Sequence, residues 1–316
     1  MRVCILIEDG YQKFNVEYYL ESYTSSVIVM EPPVKKTLRS TIKDDGFDVY
    51  LNLCEGYDDW YYTGRDVVQA LEELDLPFTG ADSRFYNPTR EQMQAVGEDA
   101  GVRFARGRNI SSVGEVEALT DELKYPLMVK HPNSYGSVGM TRNSRVENAK
   151  QLKQQVRRNC KNFGGARVEE FIDGREFTTF IVDNPEDLDN PFVYPPAELI
   201  FPPGEHFLHT RVKWKKYVYL KQVDDGELSQ RLQKMTRKLY RALHGVGYAR
   251  CDFRMNMPGE LFTLEINPNS GILYEPRDLG PADIMIEYDQ GGHDAFLERI
   301  FRSALIRQQE RKHRAK

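Results

Sequence analysis

Gly247-Tyr-Ala-Arg-Cys-Asp-Phe-Arg-Met-Asn-Met-Pro-Gly-Glu-Leu-Phe-Thr-Leu-Glu-Ile-Asn-Pro-Asn-Ser-Gly271 is the stretch on which the reading of this chain turns. Two runs of alternating character flank Pro258-Gly259, a strong turn signal, and the whole reads as a β-hairpin. With those two residues as the loop, Met257 faces Glu260, Asp252 faces Glu265, and Arg250 faces Asn267. Side chains two apart share a face of a strand, so Arg250, Asp252, Glu265 and Asn267 form one polar patch. Opposed carboxylates repel and call for a cation. The candidate ligands Asp252, Glu265 and Asn267 are hard oxygens, which suit Mg²⁺ or Mn²⁺ and not zinc. Arg250 beside them suits an anion such as a phosphate arriving with the metal. The competing reading is an exposed hairpin with a charged outer face.

The rest of the composition narrows the class. At 316 residues the chain has room for two or three domains. Its 40% hydrophobic and 29% charged content is that of a globular protein. A net charge of −5 gives no electrostatic case for nucleic acid. No apolar run is long enough to span a bilayer. Met1-Arg-Val-Cys-Ile-Leu-Ile-Glu-Asp-Gly10 reads as a buried strand meeting an acidic turn, not as a signal peptide. Cys4, Cys54, Cys160 and Cys251 are scattered and behave as small hydrophobes, so a reducing cytoplasm is the expected home. The six histidines show no zinc spacing.

Taken in order, residues 2–7 read as a continuously apolar strand, followed by a helix from about Phe14 to Tyr23. A strand at Ser26–Met30, a turn at Asp44-Asp-Gly46 and a strand at Val49–Cys54 come next. A helix from Arg65 to Leu74 turns Val67, Val68, Leu71 and Leu74 inward, and Leu76-Pro-Phe-Thr-Gly80 closes the unit. Alternating strands and helices argue a small doubly wound α/β domain. Ligands of such sheets sit beyond the strand C-termini, where Glu8–Gln12 and Glu55–Tyr62 fall. The second loop is acidic and aromatic, suited to an amine, or is simply solvated.

Residues 87–125 read as helix, short strand and helix, with Thr89 or Asn87 capping Arg90–Ala100. Pro126–Lys130 is a buried strand ending in lysine. His131–Met140 is a glycine/serine loop and Thr141–Asn143 a basic strand. Backbone N–H groups and a lysine in that arrangement suit a phosphate, and an ordinary hairpin loop has the same look. A helix at Asn148–Asn159 leads to the hairpin Ala166–Ile181, turning at Asp173-Gly174 between Glu169 and Glu176. Residues 183–205 read as a surface excursion. Arg211–Tyr217 is either a loop closing on phosphates or a solvated edge strand. Helices at Ser229–Leu243 and Leu297–Arg311 complete the chain.

In this order the pieces resemble the ATP-grasp superfamily, and within it the D-alanine–D-alanine ligase branch. Its most specific parts are Val129-Lys130 through Ser137-Val-Gly-Met140, and Leu264-Glu-Ile-Asn267 followed by Gly271. The resemblance implies an N-terminal α/β domain over 1–87, a central ATP-grasp subdomain over 88–172 and a C-terminal subdomain over 173–316. It implies ATP and two Mg²⁺ ions as cofactors, small-molecule carboxylate and amine substrates, an amide-forming reaction through an acyl phosphate, and room for a homodimer. Lys130 would touch the nucleotide phosphates, with Ser137, Gly136 and Gly139 as their lid. Glu169 and the backbone near Glu170 and Ile172 would meet adenine, and Glu176 the ribose. Asp252, Glu265 and Asn267 would hold metal, while Arg250 and the Gly271 N–H would stabilise the oxyanion. One of Lys213, Lys215 and Lys216, with Lys216 favoured, matches the family's loop lysine.

The chain also departs from that pattern. The family's early lysine falls on Arg90, whose planar fork differs from an ammonium. Its Gly-Gly-x-Ser-x-Glu turn is replaced by Glu8–Phe14, and its Ser-Pro-Gly-Met by Asn269-Ser-Gly-Ile272. The family's acceptor-binding serine falls near Pro276-Arg277, so Arg277 either binds an acceptor carboxylate or pairs with Glu275 or Asp278. The substrates stay open. A kinase-like phosphotransferase and a catalytically silent ATP-binding scaffold are the rival readings.

Overall fold

The computed structural model describes all residues except 9–14, 45, 55–63, 134–135, 215–217, 269 and 315–316. Expectations placed on Asp9–Gln12, Glu55–Tyr62, Lys215, Lys216 and Asn269 therefore lie outside the described residues. Among those described, the strands form three sheets.

The first sheet has the parallel order β2 (Thr24–Met30), β1 (Arg2–Glu8), β3 (Val49–Asn52). Val3, Cys4, Ile5 and Leu6 are all buried, as expected for a central parallel strand covered on both faces. Connecting helices are α1 (Val16–Tyr19), α2 (Val34–Asp44) and α3 (Gly64–Glu73). The expected helix to Tyr23 is cut to one turn, because Val16 and Leu20 already anchor it and the chain then turns into β2. Residues 34–44 form a helix that the sequence under-announces, for Val34 and Leu38 are the anchors seen among basic and hydroxyl residues.

The second sheet, ordered β4 (Gly107–Ile110), β7 (Ala166–Glu170), β5 (Leu127–Lys130), β6 (Arg145–Val146), is flanked by α5 (Val116–Glu122) and α6 (Ala149–Phe163). Before it, α4 (Arg90–Asp99) starts at a capping box between Thr89 and Gln92. The basic strand expected at Thr141–Asn143 is instead a single 3₁₀ turn, Arg142–Ser144. The Ser144 hydroxyl accepts the Thr141 N–H at 3.0 Å and diverts the backbone from a ladder.

The third sheet is antiparallel and follows the order β11 (Tyr219–Gln222), β10 (Ala197–Ile200), β8 (Gly174–Val182), β12 (Tyr248–Asn256), β13 (Leu261–Pro268), with β9 (Phe192–Val193) also on β8. Thus 183–205 is no mere surface excursion: Val193, Tyr194 and Ala197 are buried, because β8 needs partners on its far edge. Thr210–Trp214 forms a short helix, α7, where a loop or strand was expected. Helices α8 (Gly226–Ala242), α9 (Pro281–Glu287) and α10 (Gly292–Arg314) cover the sheet. No described helix is long and apolar enough to cross a membrane.

The β12–β13 hairpin corrects its expected turn yet keeps the expected pairing. The loop has three residues, Met257–Gly259, closed by Asn256 N–H to Glu260 O at 3.0 Å, with Gly259 at φ 84°. Met257 therefore does not face Glu260. Near the turn Met255 pairs Leu261, a register one residue out. The register then shifts between Asp252 and Phe253, and Leu264 is the extra residue. That bulge restores Asp252 opposite Glu265 and Arg250 opposite Asn267.

Candidate active site

Three strands place the charged side chains. Arg250, Asp252 and Arg254 alternate along one face of β12. On one side β13 brings Glu265 and Asn267 opposite them; on the other β8 brings Glu176 opposite Arg254 and Thr178 opposite Asp252. The Arg250 fork donates to both Asp252 oxygens at 3.0 Å, and the Thr178 hydroxyl donates to Oδ1 at 2.7 Å. Arg90, at the start of α4, pairs with Glu265 at 2.5 Å, and Asn267 Nδ2 donates to Glu265 at 3.2 Å. The repulsion between Asp252 and Glu265 is thus answered by two arginines of the chain itself.

The second sheet supplies the facing wall. Lys130, the last residue of β5, pairs with Glu169 of β7, and Arg167 Nε lies 3.4 Å from the same carboxylate. Burial pushes Glu169 up, but Lys130 and Arg167 more than reverse it and hold the carboxyl below its usual range. Glu265 behaves alike: burial raises it, and Arg90 with Lys130 and Arg250 brings it below the ordinary value. Glu176 is the exception. Burial lifts it to about 7 although Arg254 opposes the shift. Arg250, despite burial, is held above its usual range by Asp252.

A cavity of about 70 Å³ lies between the walls, lined by Arg90, Lys130, His131, Ser137, Val138, Met140, Glu176, Leu208, Asp252, Leu264 and Glu265. Ser137 sits in the left-handed region at φ 62°, between Gly136 at 70° and Gly139 at 69°. Thr210 of α7 ties this loop down, its hydroxyl donating to Met140 O at 3.0 Å. A larger cavity of about 370 Å³ on α8, lined by Ala100, Lys234, Arg237, Lys238 and Arg241, brings together none of the expected residues.

The expected residues divide accordingly. Arg90, Lys130, Ser137, Glu176, Asp252 and Glu265 converge on the cavity, and Asn267 and Arg250 lie beside them on the shared face. The Glu170 carboxylate accepts the Lys124 N–H at 3.0 Å. Arg277 is exposed and does not line the cavity; among the described residues no ion pair ties it to Glu275 or Asp278. Sequence reasoning missed Thr178 and Arg254. Arg254 donates to Glu176 and to the carbonyls of Gly174 and His206, all at 2.9 Å, under the Phe171 ring. The period-two continuation of Arg250 and Asp252 points to Arg254; nothing local points to Thr178, which depends on β8 lying next to β12.

Comparison with known proteins agrees with this architecture. The family model for the D-ala D-ala ligase C-terminus matches residues 102–274, more than half of the chain. The D-alanine–D-alanine ligase of Aquifex aeolicus is 29% identical over 213 residues, 64% of this chain and 66% of that protein. Other curated relatives are likewise matched over 65% and 64% of their own length. Among solved structures, the D-alanine–D-alanine ligase from Coxiella burnetii superposes with a TM-score of 0.72 at 18% identity, covering 99% of this chain and 96% of that one. The Bacillus anthracis ligase complexed with ATP gives 0.72 at 17% identity, over 98% and 99%. These neighbours share the mixed α/β fold, which is the ATP-grasp architecture that the motif order suggested. The chain belongs to the family of the D-ala D-ala ligase C-terminus.

Proposed function

We propose that this protein is an ATP-dependent carboxylate–amine ligase that joins two small substrates, amino acids among them, through an acyl phosphate and releases ADP and phosphate. The observation that carries this is the single face on which Arg250, Asp252, Glu265 and Asn267 meet, opposite Lys130 and the Ser137 loop. The relatives' names, D-alanine–D-alanine ligase, support the same reaction class.

The donor set fits a hard divalent cation. Among the described residues no group of three or more His, Cys, Asp or Glu side chains gathers to hold a metal. The set here is two carboxylates and an amide, and Asn267 Oδ1 is buried without a hydrogen-bond partner. Asp252, Glu265 and Asn267 would hold Mg²⁺, which when bound supplies charge neutralisation at the phosphates.

The chain's own residues then have distinct tasks. Lys130 and Arg90 meet phosphate oxygens, leaving the carboxylates they now pair with. The left-handed Gly136-Ser137 turn turns backbone N–H groups toward the same oxygens. Glu176, held by Arg254, receives the ribose, and Glu169 with the strand end at Glu170–Ile172 borders the base. A free carboxylate resists amines because oxide is a poor leaving group, and phosphorylation supplies a good one. Arg250 and the Gly271 N–H stabilise the tetrahedral oxyanion, a donor being worth about 3–4 kcal/mol in such a transition state. Arg277 binds the acceptor's carboxylate, and one of Lys213, Lys215 and Lys216, with Lys216 favoured, meets the phosphates. The reading carries a cytoplasmic setting with it, and the free cysteines are in keeping with a reducing medium.

The test is ADP release with Mg-ATP against pools of D- and L-amino acids, singly and in pairs, with mass spectrometry of the products. Release that depends on an amine, with a product mass of two substrates less water, establishes the ligase. Release with a phosphorylated product and no condensation assigns a kinase instead. ATP binding without release from any pool points to a larger or non-amino-acid substrate, and no ATP binding assigns a scaffold.

A further inference from the structure

Behind the site a second charged cluster has no place in the chemistry above. Asp283, in the first turn of α9, is fully buried. Its Oδ1 accepts the Leu273 N–H at 2.7 Å, and its Oδ2 accepts those of Tyr274 and Gly280, both at 3.2 Å. One carboxylate therefore fastens both feet of the loop 274–280, whose exposed middle holds Arg277. Leu273 is bent to φ 60°, a conformation that L side chains seldom adopt, so its foot needs holding. A helix start requires the bond to Gly280 at most; those to Leu273 and Tyr274 reach across to the segment that follows β13.

Asp283 is itself held. His293 Nε2 lies 3.0 Å from Asp283 Oδ1, and Nδ1 lies 2.6 Å from Glu287 Oε1. With a carboxylate oxygen at each ring nitrogen, the imidazole bridges Asp283 and Glu287. Tyr19 of α1 lies against the imidazole, centroids 4.4 Å apart, and its hydroxyl donates to Tyr274 O at 2.8 Å. Burial, with Asp283 and Glu287 nearby, holds that phenol above its ordinary range, so it remains a donor.

We propose that Asp283, His293 and Glu287 form a positioning relay that sets the 274–280 loop, and through it Arg277, in the shape that receives the amine substrate. The relay couples that loop to α1, the helix that follows β1 of the first sheet. The proposal rests on the ligase reading, and its residues touch no reacting atom.

The test pairs steady-state kinetics with hydrogen exchange on wild type, His293→Gln and Glu287→Gln. Glu287 is half exposed, so its variant keeps the core intact. The acceptor KM is expected to rise about 10-fold in His293→Gln and about 3-fold in Glu287→Gln, with kcat and the ATP KM within about 2-fold, the pattern of lost ground-state binding. Amides of Leu273, Tyr274 and Gly280 should exchange faster in the same order. Faster exchange with an unchanged acceptor KM reduces the cluster to a structural staple and overturns the proposal. Unchanged exchange in both variants overturns the relay itself. Wild type is measured first: absence of amine-dependent ADP release refutes the ligase reading and this role with it, whereas active wild type with insensitive variants refutes this role alone.

Discussion

Two clusters of buried charge lie within the third sheet and its surroundings, and they are built differently. At the end of β8, Asp183 accepts the Tyr240 hydroxyl at 2.8 Å and the Gly247 N–H at 2.7 Å, with Arg307 Nε 3.5 Å away. Arg307 also donates to the carbonyls of Phe78 and Gly80 at 3.0 Å, tying α10 to the segment that follows α3. Gly247 itself sits so close that a Cβ there would meet Gly80 O at 2.2 Å. Neither of the two cavities described above is lined by this cluster. The other cluster, on the open face of β12 and β13, pairs its charges as well but borders a cavity and leaves Asn267 Oδ1 without a hydrogen bond. A charge spent on backbone carbonyls holds the fold. A charge paired beside open space is available to a ligand. Damage in the first cluster should therefore read out as stability, and damage in the second as activity.

The largest effect should come from breaking the sealed cluster. Arg307→Leu strands Asp183 and two carbonyls, and should cost about 3–5 kcal/mol in urea unfolding. Next, Arg250→Met should leave the urea midpoint close to wild type while kcat falls about 10²–10³-fold, the loss of one oxyanion donor. Equal stability losses in the two arginine variants would erase the contrast.

Glu176 sharpens it further, because burial outweighs its pairing. Its folded value of about 7 lies above the ordinary 4.5. For a raised carboxyl, the contribution to stability is present in full below about pH 4.5 and is lost as pH rises through 7. Glu176→Gln, which cannot titrate, should thus gain on wild type by about 3 kcal/mol at most between pH 4.5 and 8. Denaturant melts at both pH values check the sign; a gap that moves the other way contradicts it. The smallest effect expected is at the exposed loop. Arg277→Ala should raise the acceptor KM about 10-fold, the equivalent of 1.4 kcal/mol, with the ATP KM unchanged, and an unchanged acceptor KM would remove Arg277 from the site.

Much of this was legible in the chain because it is local. The apolar run of β1, the lysine ending β5 and the alternation along β12 each declare themselves within ten residues. The Asp252–Glu265 pairing was reached through an incorrect turn: a three-residue loop displaced the register by one, and the Leu264 bulge displaced it back. Nothing in the alternation distinguishes that from a two-residue turn with no bulge. What was not legible depends on contacts distant in sequence. Thr178 matters because β8 lies beside β12, and 193–200 is strand because β8 has a second edge to fill. The pairing of Arg90 with Glu265 joins α4 to β13, which lie far apart in sequence. Arg254 alone among the missed residues had a local signal, two positions beyond Asp252.

The most direct measurement is a paired one on Asp252→Asn: ADP release with Mg-ATP and the substrate pool active for wild type, and thermal unfolding without ligand. Asparagine still accepts from Thr178, and the carboxylate facing Glu265 is gone. Turnover should be lost while the unfolding free energy stays within about 1 kcal/mol of wild type, as for a substitution that leaves packing intact. Full turnover in this variant would contradict the assignment of the β12–β13 face as the active site, and a collapsed fold would place Asp252 with the sealed cluster instead.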